Sequence, residues 1–335
     1  MTPTRRDLAL LVSAGALAPR IAWAQVRAPV VIAECGSMGD GPPNTRPAYE
    51  RAIAEGADFL AANLVATRDG DLVACPENEI SATTDVADHP EFANRRTAKV
   101  IDDRRIEGWF TEDFSLAELK TLVCREGVAP ARPTKAGEPR LSILGFQDVV
   151  DLARGGSVHS ARVIGVFVSL RQVRYFASLG LPLEVRLAEA IRVNGYNSPA
   201  AAMLVAAAEA TTLQSFGALS RARRIQVLGP DSVRSDAFSA DDLTARRGWA
   251  EGIGMAEHMV GESPGAIDAA HAVGLSLYAW ASHRPRRPED ARKAIAALIT
   301  DGVDGVVTDS PAVAARARLD ALRSIERERS GQIRP

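Results

Sequence analysis

Side chains that can do acid–base or anion-binding chemistry follow several short apolar runs of this chain. Glu34 ends the first of these runs, and Arg171 comes directly after the third. A carboxylate can accept a proton from a reacting group, and a guanidinium can bind a phosphate or carboxylate through two parallel hydrogen bonds. His258 and His283 follow two later runs. A site that combines these histidines with Glu34 or Glu257 is therefore one hypothesis, although a single histidine in such a loop is more often a surface residue.

The apolar runs alternate with amphipathic segments, a pattern typical of a βα-repeat with a parallel sheet. Strands are predicted at Val30–Glu34, Asp58–Leu64, Val163–Ser169, Thr211–Phe216, Arg224–Leu228, Glu251–Gly254, Leu275–Trp280 and Gly302–Thr308. Helices are predicted, among others, at Arg46–Glu55, Leu183–Val193, Ser263–Val273 and Glu289–Thr300. Eight strands are the number that closes a (β/α)8 TIM barrel, so we expect an α/β fold of this kind. Working side chains of such barrels project from the carboxyl ends of the strands and from the loops that follow them.

Residues 78–140 interrupt this alternation with sequence rich in Pro, Asp and Arg. We interpret them as a subdomain inserted after the second strand of one large domain, residues 25–325. Residues 326–335 are mostly charged or polar and are predicted to form a frayed C-terminal tail. The whole chain has 335 residues, of which 46% are hydrophobic, so it can bury a sizeable core.

Charge and hydropathy exclude two classes of partner. The net charge of −2 gives no electrostatic footprint for nucleic acid or for an anionic membrane. No apolar run of the sequence reaches the ~18 residues that a membrane-spanning helix needs. We therefore expect a small-molecule ligand, with no nucleic-acid partner and no membrane span.

The first residues have the pattern of a targeting segment. Thr4-Arg5-Arg6-Asp7-Leu8 is a twin-arginine sequence, and the stretch Leu8–Ala18 is apolar. Ala22-Trp23-Ala24 supplies small residues at the positions that a signal peptidase recognises. We expect residues 1–24 to be a twin-arginine signal peptide and the protein to be periplasmic or secreted.

Export would place Cys35, Cys75 and Cys124 in an oxidising compartment. Their odd number leaves at least one of them unpaired within the chain. Cys35 and Cys75 are predicted in two loops that flank the same pocket, so a disulfide between them is one option. Three separate small apolar fillers are the other option, and the sequence does not decide between the two.

Residues 31–78 resemble the opening of the glycerophosphodiester phosphodiesterase family. They read VIAECGSMGDGPPNTRPAYERAIAEGADFLAANLVATRDGDLVACPEN, in the spacing of the family pattern IAHRGA…PENTxPAYERAIxxGADxIExDLxxTxDGxLVxxHEN. FASLGLPLE at 176–184, LQSF at 213–216 and GVDGVVTDSPAVA at 302–314 match later family segments in order. The resemblance implies a TIM barrel with the insertion of the periplasmic members. It also implies phosphodiester hydrolysis in lipid and glycerol metabolism, assisted by Ca²⁺ or Mg²⁺.

Most residues that carry the family's chemistry are replaced here. Glu34-Cys35 stands where the family has His-Arg, and Pro76 replaces the second catalytic histidine. The positions of the family's acidic, metal-binding residues are occupied by Pro43, Ala61, Asn63 and Ser169. A hard cation needs several charged oxygen ligands, and each lost acid or base typically costs ~10²–10⁴-fold in rate. We therefore expect no metal cofactor and absent or strongly impaired catalysis; a phosphoric diester hydrolase with a relocated or altered site is the alternative.

The predicted barrel mouth keeps residues that suit a small anionic ligand. Arg171 falls at or near the family's phosphate-contacting lysine. Phe216 and Trp280 fall where the family has aromatic residues against the apolar part of the substrate, although core packing is the usual role of an aromatic residue that ends a strand. Ala61 and Gly217 replace acidic residues and leave more room. The hypothesis is a ligand with one acidic group and an apolar part.

Overall fold

The computed structural model describes residues 28–37, 42–125, 141–229, 238–281 and 286–332. Within these ranges the chain forms eleven strands: β1 (Val30–Glu34), β2 (Phe59–Ala66), β3 (Leu72–Ala74), β4 (Thr97–Ile101), β5 (Arg104–Gly108), β6 (Gly165–Leu170), β7 (Met203–Ala207), β8 (Arg223–Leu228), β9 (Gly252–Ala256), β10 (Ser276–Trp280) and β11 (Gly305–Thr308). The α-helices of the same ranges are α1 (Arg46–Ala54), α2 (Leu116–Leu119), α3 (Phe146–Ser160), α4 (Val173–Ser178), α5 (Leu183–Val193), α6 (Ala210–Leu219), α7 (Ala240–Arg247), α8 (Glu257–Gly261), α9 (Ala266–Ala272), α10 (Pro288–Asp301) and α11 (Pro311–Gln332). The predicted signal peptide, residues 1–24, lies outside the described residues, as does His283.

Eight parallel strands close into a barrel in this part of the chain. Their order is β1-β2-β6-β7-β8-β9-β10-β11, and β11 pairs again with β1. β3 pairs antiparallel with β2 outside this closed ring. The structure therefore confirms the predicted (β/α)8 TIM barrel.

Successive side chains of each strand point alternately into the barrel and outward, toward the surrounding helices. A cluster of buried apolar side chains occupies the interior, as expected for a barrel of this size. They include Ile32, Phe59, Ala61, Phe167, Leu204, Ala206, Ile225, Tyr278 and Val307. The opposite faces of the same strands pack against the helices in two larger clusters. The polar residues at the carboxyl ends of the strands thus lie directly above the apolar interior of the barrel.

The inserted segment forms a small separate layer beside the mouth. β4 and β5 pair only with each other, as an antiparallel hairpin. Among the described residues 78–125, no strand joins the barrel sheet. Phe92 and Phe114 pack edge to face with ring centroids 5.0 Å apart, and both belong to the large apolar cluster that also includes residues of the barrel strands. The hairpin therefore builds one wall of a cleft without altering the barrel.

Two predicted elements are corrected by the structure. The strand predicted at Thr211–Phe216 is wrong, because these residues lie in α6, and the strand at this place in the barrel is β7. β7 is buried along its whole length and has one β-branched residue, Val205, so it lacks the alternation and the β-branched run that indicate a strand. α11 continues to Gln332, so much of the predicted tail, residues 326–335, is helical.

None of the helices in the described ranges combines the length and the apolar character needed to cross a bilayer.

Candidate ligand site at the barrel mouth

Parallel register brings four sequence-predicted positions together at the carboxyl ends of β1, β2 and β6. Glu34 is paired with Ala61, and Asn63 is paired with Ser169 on the next strand. Ala61 is buried and belongs to the apolar interior. Pro43 lies in the loop before α1 and offers no side-chain ligand atom. The predicted positions therefore do form one site, but it contains few charged oxygens.

Glu34 is the partly buried carboxyl group of this site. Burial raises the pKa of Glu34, and the negative charge of Asp309, which follows β11, raises it further. A hydrogen bond from the Trp280 side chain and the positive charge of Arg171 lower this pKa. Trp280 lies edge-on to Phe167, with ring centroids 5.8 Å apart. The indole ring and the second carboxyl group confirm that the ends of β1, β10 and β11 converge here.

Trp280 can occupy this position only because β9 has a glycine beside it. A Cβ atom built on Gly254 would lie 2.2 Å from Cζ3 of Trp280. Any side chain at this position would require the indole ring or the strand backbone to shift. Gly254 thus leaves the space that the Trp280 ring occupies in the site.

Cys35 contributes a neutral thiol and a rigid backbone turn. Its φ of 57° is left-handed, its N–H donates to Ala61 O at 3.0 Å, and its carbonyl accepts from Asn44 N at 2.8 Å. Burial raises the pKa of the thiol to about 12. Asn63 Nδ2 lies 3.6 Å from Cys35 Sγ. The cation that the family pattern places at this position is therefore replaced by an uncharged group.

All three cysteines are free thiols in this structure. Burial raises the pKa of Cys75 and raises that of Cys124 to about 12. The disulfide between Cys35 and Cys75 that the sequence allowed is not formed. The alternative, three separate apolar fillers, describes their state here.

Arg171 follows β6 and lines a cleft of about 770 Å³ between the mouth and the β4–β5 hairpin. Its Nη2 donates to Glu77 Oε1 at 2.9 Å, and Gln172 Nε2 donates to Glu77 Oε2 at 2.8 Å. Pro76 lines the same cleft and carries no titratable group. Arg171, the residue predicted to contact an anion, thus lies in this cleft, where its guanidinium is engaged by a carboxylate of the chain itself.

Four residues of the cleft were not anticipated from the sequence, namely Glu77, Gln172, Arg174 and Glu209. Glu77 holds Arg171 and Gln172, and Glu209, just after β7, lies 3.2 Å from Arg174 Nε. The available signal for Glu209 was an acidic residue directly after a buried apolar run. The wrong placement of the fourth strand concealed it.

The same misplacement affects Phe216 and Gly217. Phe216 is 0% exposed in α6 and packs in the large core cluster, so it does not line the mouth. A Cβ atom on Gly217 would lie 1.8 Å from Arg224 Nη1, and so this glycine makes room for an arginine of β8 rather than for a ligand. Of the two predicted aromatic walls, Trp280 alone lies beside Glu34.

His258, one of the two histidines proposed for a relocated site, is not among the described groups that shift the pKa of Glu34. His258 is exposed in α8 and lines a groove of about 530 Å³ with residues of α9 and α10. Arg286 Nη1 donates to the two carboxylate oxygens of Glu257, at 2.6 Å to Oε1 and 2.7 Å to Oε2. His283 lies outside the described residues.

The described residues at the strand ends do not fit a protein-held Ca²⁺ or Mg²⁺ ion. Within the described ranges, Glu34 and Asp309 are the carboxyl groups at the ends of β1 and β11, and Asn63 and Ser169 add only neutral oxygens. The nearby Glu77 carboxylate is engaged by Arg171 and Gln172. Across the described ranges, no three His, Cys, Asp or Glu side chains are grouped as metal ligands. Calcium needs six to eight oxygen ligands, several of them charged, and burial disfavours the charged form of Glu34.

A closed (β/α)8 barrel with a polar strand-end site and a lateral insertion defines the class of this protein. Residues 36–313 match the model described as the glycerophosphoryl diester phosphodiesterase family. The chain belongs to this family, which confirms the resemblance seen in its sequence.

Curated relatives carry the same family name. The chain is 33% identical to glycerophosphodiester phosphodiesterase GDPD6 of Arabidopsis thaliana over 179 residues, which are 51% of this chain and 46% of that protein. It is 22% identical to the glycerophosphodiester phosphodiesterase of Haemophilus influenzae over 177 residues, 50% of this chain and 46% of that protein. These matches span about half the length of each curated relative.

Solved structures share the fold at low sequence identity. A putative glycerophosphoryl diester phosphodiesterase from Silicibacter pomeroyi superposes with a TM-score of 0.63 at 18% identity, covering 88% of this chain and 95% of that one. A phosphodiesterase from Oleispira antarctica, in complex with its product sn-glycerol-3-phosphate, gives a TM-score of 0.61 at 18% identity, covering 88% and 97%. At such identities the likeness establishes the fold alone.

Proposed function

We propose that this family member binds a small acidic ligand at the barrel mouth and has lost most or all of the family's phosphodiester hydrolysis. The observation that carries the proposal is the content of the strand-end site. The positions of catalytic and metal-binding groups hold Glu34, Pro76, Ala61, Asn63 and Ser169.

Hydrolysis of a phosphodiester needs neutralised phosphoryl oxygens, an activated nucleophile and a proton for the leaving alkoxide. Glu34 is the titratable group at the first family histidine position, and Pro76 at the second has no proton to give. The Cys35 thiol is neutral, so it does not replace the positive charge that the family pattern has there. Because grouped catalytic residues act as a unit, one remaining carboxyl group is expected to sustain little turnover.

Ligand binding needs less than catalysis does. Arg171 supplies a guanidinium that can hold a phosphate or carboxylate without a metal ion, and Trp280 supplies an apolar ring. The related Oleispira antarctica phosphodiesterase, which shares the barrel, is described with sn-glycerol-3-phosphate bound. Glu34 and Asp309 add negative charge, so we expect weak binding of phosphodiesters. A ligand with one acidic group and an apolar part suits the site better.

A second candidate is acid–base chemistry of a different kind at the same mouth. The specific observation is the neighbouring pair Glu34 and Asp309, in which burial and the second carboxyl group raise the pKa of Glu34. A carboxyl group with a raised pKa can act as a general acid, as one of the two carboxyl groups of a glycosidase does. This candidate predicts that Glu34→Gln abolishes turnover of a diester substrate, whereas the ligand-binding proposal predicts no turnover to abolish.

A thermal-shift screen with small phosphate monoesters and carboxylates tests the ligand proposal. Arg171→Ala should reduce the shift caused by any acidic ligand, and Trp280→Ala should reduce the shift for ligands with an apolar part. Arg174→Ala is a matched control, because this arginine lines the same cleft and is paired with Glu209. If no acidic ligand shifts the midpoint, or if all three variants respond like the parent, the proposal is wrong.

We also propose that the protein is exported through the twin-arginine route, on the sequence pattern of residues 1–24 alone. A fusion of this segment to a reporter should reach the periplasm of a bacterial host. Replacement of Arg5 and Arg6 by lysine should retain the reporter in the cytoplasm. Export of the lysine variant at the parent's level would contradict the twin-arginine route.

A further inference from the structure

The Glu77 carboxylate is bound by its neighbours in the way that an acidic ligand would be bound. One oxygen accepts from Arg171 Nη2 at 2.9 Å and the other accepts from Gln172 Nε2 at 2.8 Å. Two adjacent residues of one loop thus supply a charged donor and a neutral donor to the two oxygens of a single carboxylate. The pattern of donors is complementary to a carboxylate or a phosphate.

We infer that Glu77 is a tethered internal ligand, which fills the acidic-ligand subsite formed by Arg171 and Gln172 and lowers its affinity for external anions. This inference rests on the proposed function, since it assigns the subsite at which the acidic group binds. An external carboxylate or phosphate monoester would take both donors only after the Glu77 side chain has rotated away.

The backbone around Glu77 is fixed, so its side chain is the moving part. Asn78, the next residue, is completely buried, and its Nδ2 donates to both carboxylate oxygens of Glu112 at 3.1 and 3.2 Å. The side chains of Glu77 and Arg171 are 51% and 44% exposed. A rotation of Glu77 into solvent therefore requires no rearrangement of the barrel or of the insertion.

Gln172 is placed for this role by an unusual backbone. Its φ of 52° is left-handed, a conformation that side-chain-bearing residues adopt infrequently. Because Nε2 faces a carboxylate, the orientation of its amide group is fixed, with the amide oxygen buried and without a hydrogen-bond partner. The donor is thereby held toward the same anion as Arg171.

An ion pair between side chains as exposed as these is weak, so the internal ligand tunes the subsite rather than blocking it. Removal of the Glu77 carboxylate should tighten the binding of an external anion by about two- to five-fold. The reason is that Arg171 and Gln172 would then be available to the anion in every molecule, whereas Glu77 occupies them part of the time in the parent. Loss of the repulsion between Glu77 and the incoming anion acts in the same direction.

The experiment compares Glu77→Gln and Glu77→Ala with the full-length parent in thermal-shift titrations with inorganic phosphate and, separately, with acetate. Ionic strength is held constant with chloride. Asp102→Asn is the matched control, because Asp102 lines the same cleft from the hairpin turn and the change removes the same charge. Asparagine also tolerates the left-handed φ of 47° at that position. The double variant Glu77→Ala/Arg171→Ala tests the origin of any gain.

Both Glu77 variants should bind at least two-fold more tightly than the parent and than Asp102→Asn, and the double variant should lose that gain. Equal affinities of the Glu77 variants and Asp102→Asn would overturn the inference while leaving anion binding at the mouth intact. A gain that persists in the double variant would overturn it too, because the subsite would then not include Arg171. Absence of binding in every protein, including Glu77→Ala, would overturn the proposed function and the inference together.

Discussion

Replacement of Lys99 by methionine should destabilise the protein through a buried carboxylate that it leaves behind. Glu112 has a side chain only 4% exposed, and Lys99 Nζ lies 2.8 Å from its Oε1. The same carboxylate accepts from Tyr175 Oη at 2.5 Å and from Asn78 Nδ2. Through these contacts the Glu112 carboxylate connects three elements: the β4–β5 hairpin, the loop that follows β3, and helix α4. Glu112 therefore fixes the insertion, and with it one wall of the cleft, against the barrel.

The magnitude follows from what remains after the change. Removal of one partner of a buried ion pair typically costs about 3–5 kcal/mol, because the other charge stays buried without compensation. Here Lys99 is 19% exposed, and Tyr175 and Asn78 continue to donate to Glu112. We therefore expect a loss of about 2–3 kcal/mol in the free energy of unfolding, below the usual range.

Urea denaturation followed by far-UV circular dichroism measures this loss. The variant Lys99→Met/Glu112→Gln is the control, because it removes the uncompensated charge and leaves an amide in its place. It should recover about 1–2 kcal/mol relative to Lys99→Met. A loss smaller than about 0.5 kcal/mol for Lys99→Met, the size of an ordinary surface substitution, would refute the reasoning. So would a double variant that is no more stable than the single one.

Three further predictions concern the mouth. Gly254→Ala should cost about 1–3 kcal/mol, since its new Cβ would overlap the Trp280 ring; an unchanged thermal midpoint and near-ultraviolet dichroism would contradict this. Burial raises the pKa of Glu34, so its contribution to stability is present at low pH and is lost as the pH rises through the raised value. Glu34→Gln should therefore gain stability over the parent in urea at about pH 8 and not at about pH 4, and a constant difference would argue against it. The Cys35 thiol, whose pKa is raised to about 12, should resist a thiol reagent at about pH 8 until the protein unfolds, and labelling of this residue in the native state would disprove its burial.

Elements with a strong local pattern were predictable from the sequence. β1 and α5 have the predicted bounds, because one is a compact β-branched run and the other has apolar residues at helical spacing. β7 was not predictable in this way, because alanine carries little strand preference and burial on both faces removes the alternation. A fully buried strand and a buried helix give similar local signals, and closure of the barrel decides between them.

Only the residues at the strand ends of the site were predictable from the sequence, because the parallel pairing of the strands fixes their positions. Glu34, Ala61, Asn63 and Ser169 were expected together because parallel strands align their carboxyl ends. The contact of Arg171 with Glu77 joins residues 94 positions apart, through two loops whose conformations no local pattern specifies. The sequence indicated a cation at Arg171, but it gave no sign that the Glu77 carboxylate would be paired with it.

One activity assay tests directly whether this barrel has lost the family's hydrolysis. The unmodified protein is assayed on a panel of glycerophosphodiesters, with and without Ca²⁺ or Mg²⁺. It is compared with a variant in which the family's residues are restored, namely Glu34→His, Cys35→Arg, Pro43→Glu, Ala61→Glu, Asn63→Asp, Pro76→His and Ser169→Glu. We expect turnover by the unmodified protein to be absent or lower by orders of magnitude than is usual for an enzyme, and some metal-dependent turnover by the restored variant. Turnover by the unmodified protein at an ordinary enzymatic rate, roughly 1–10³ s⁻¹, would contradict the account.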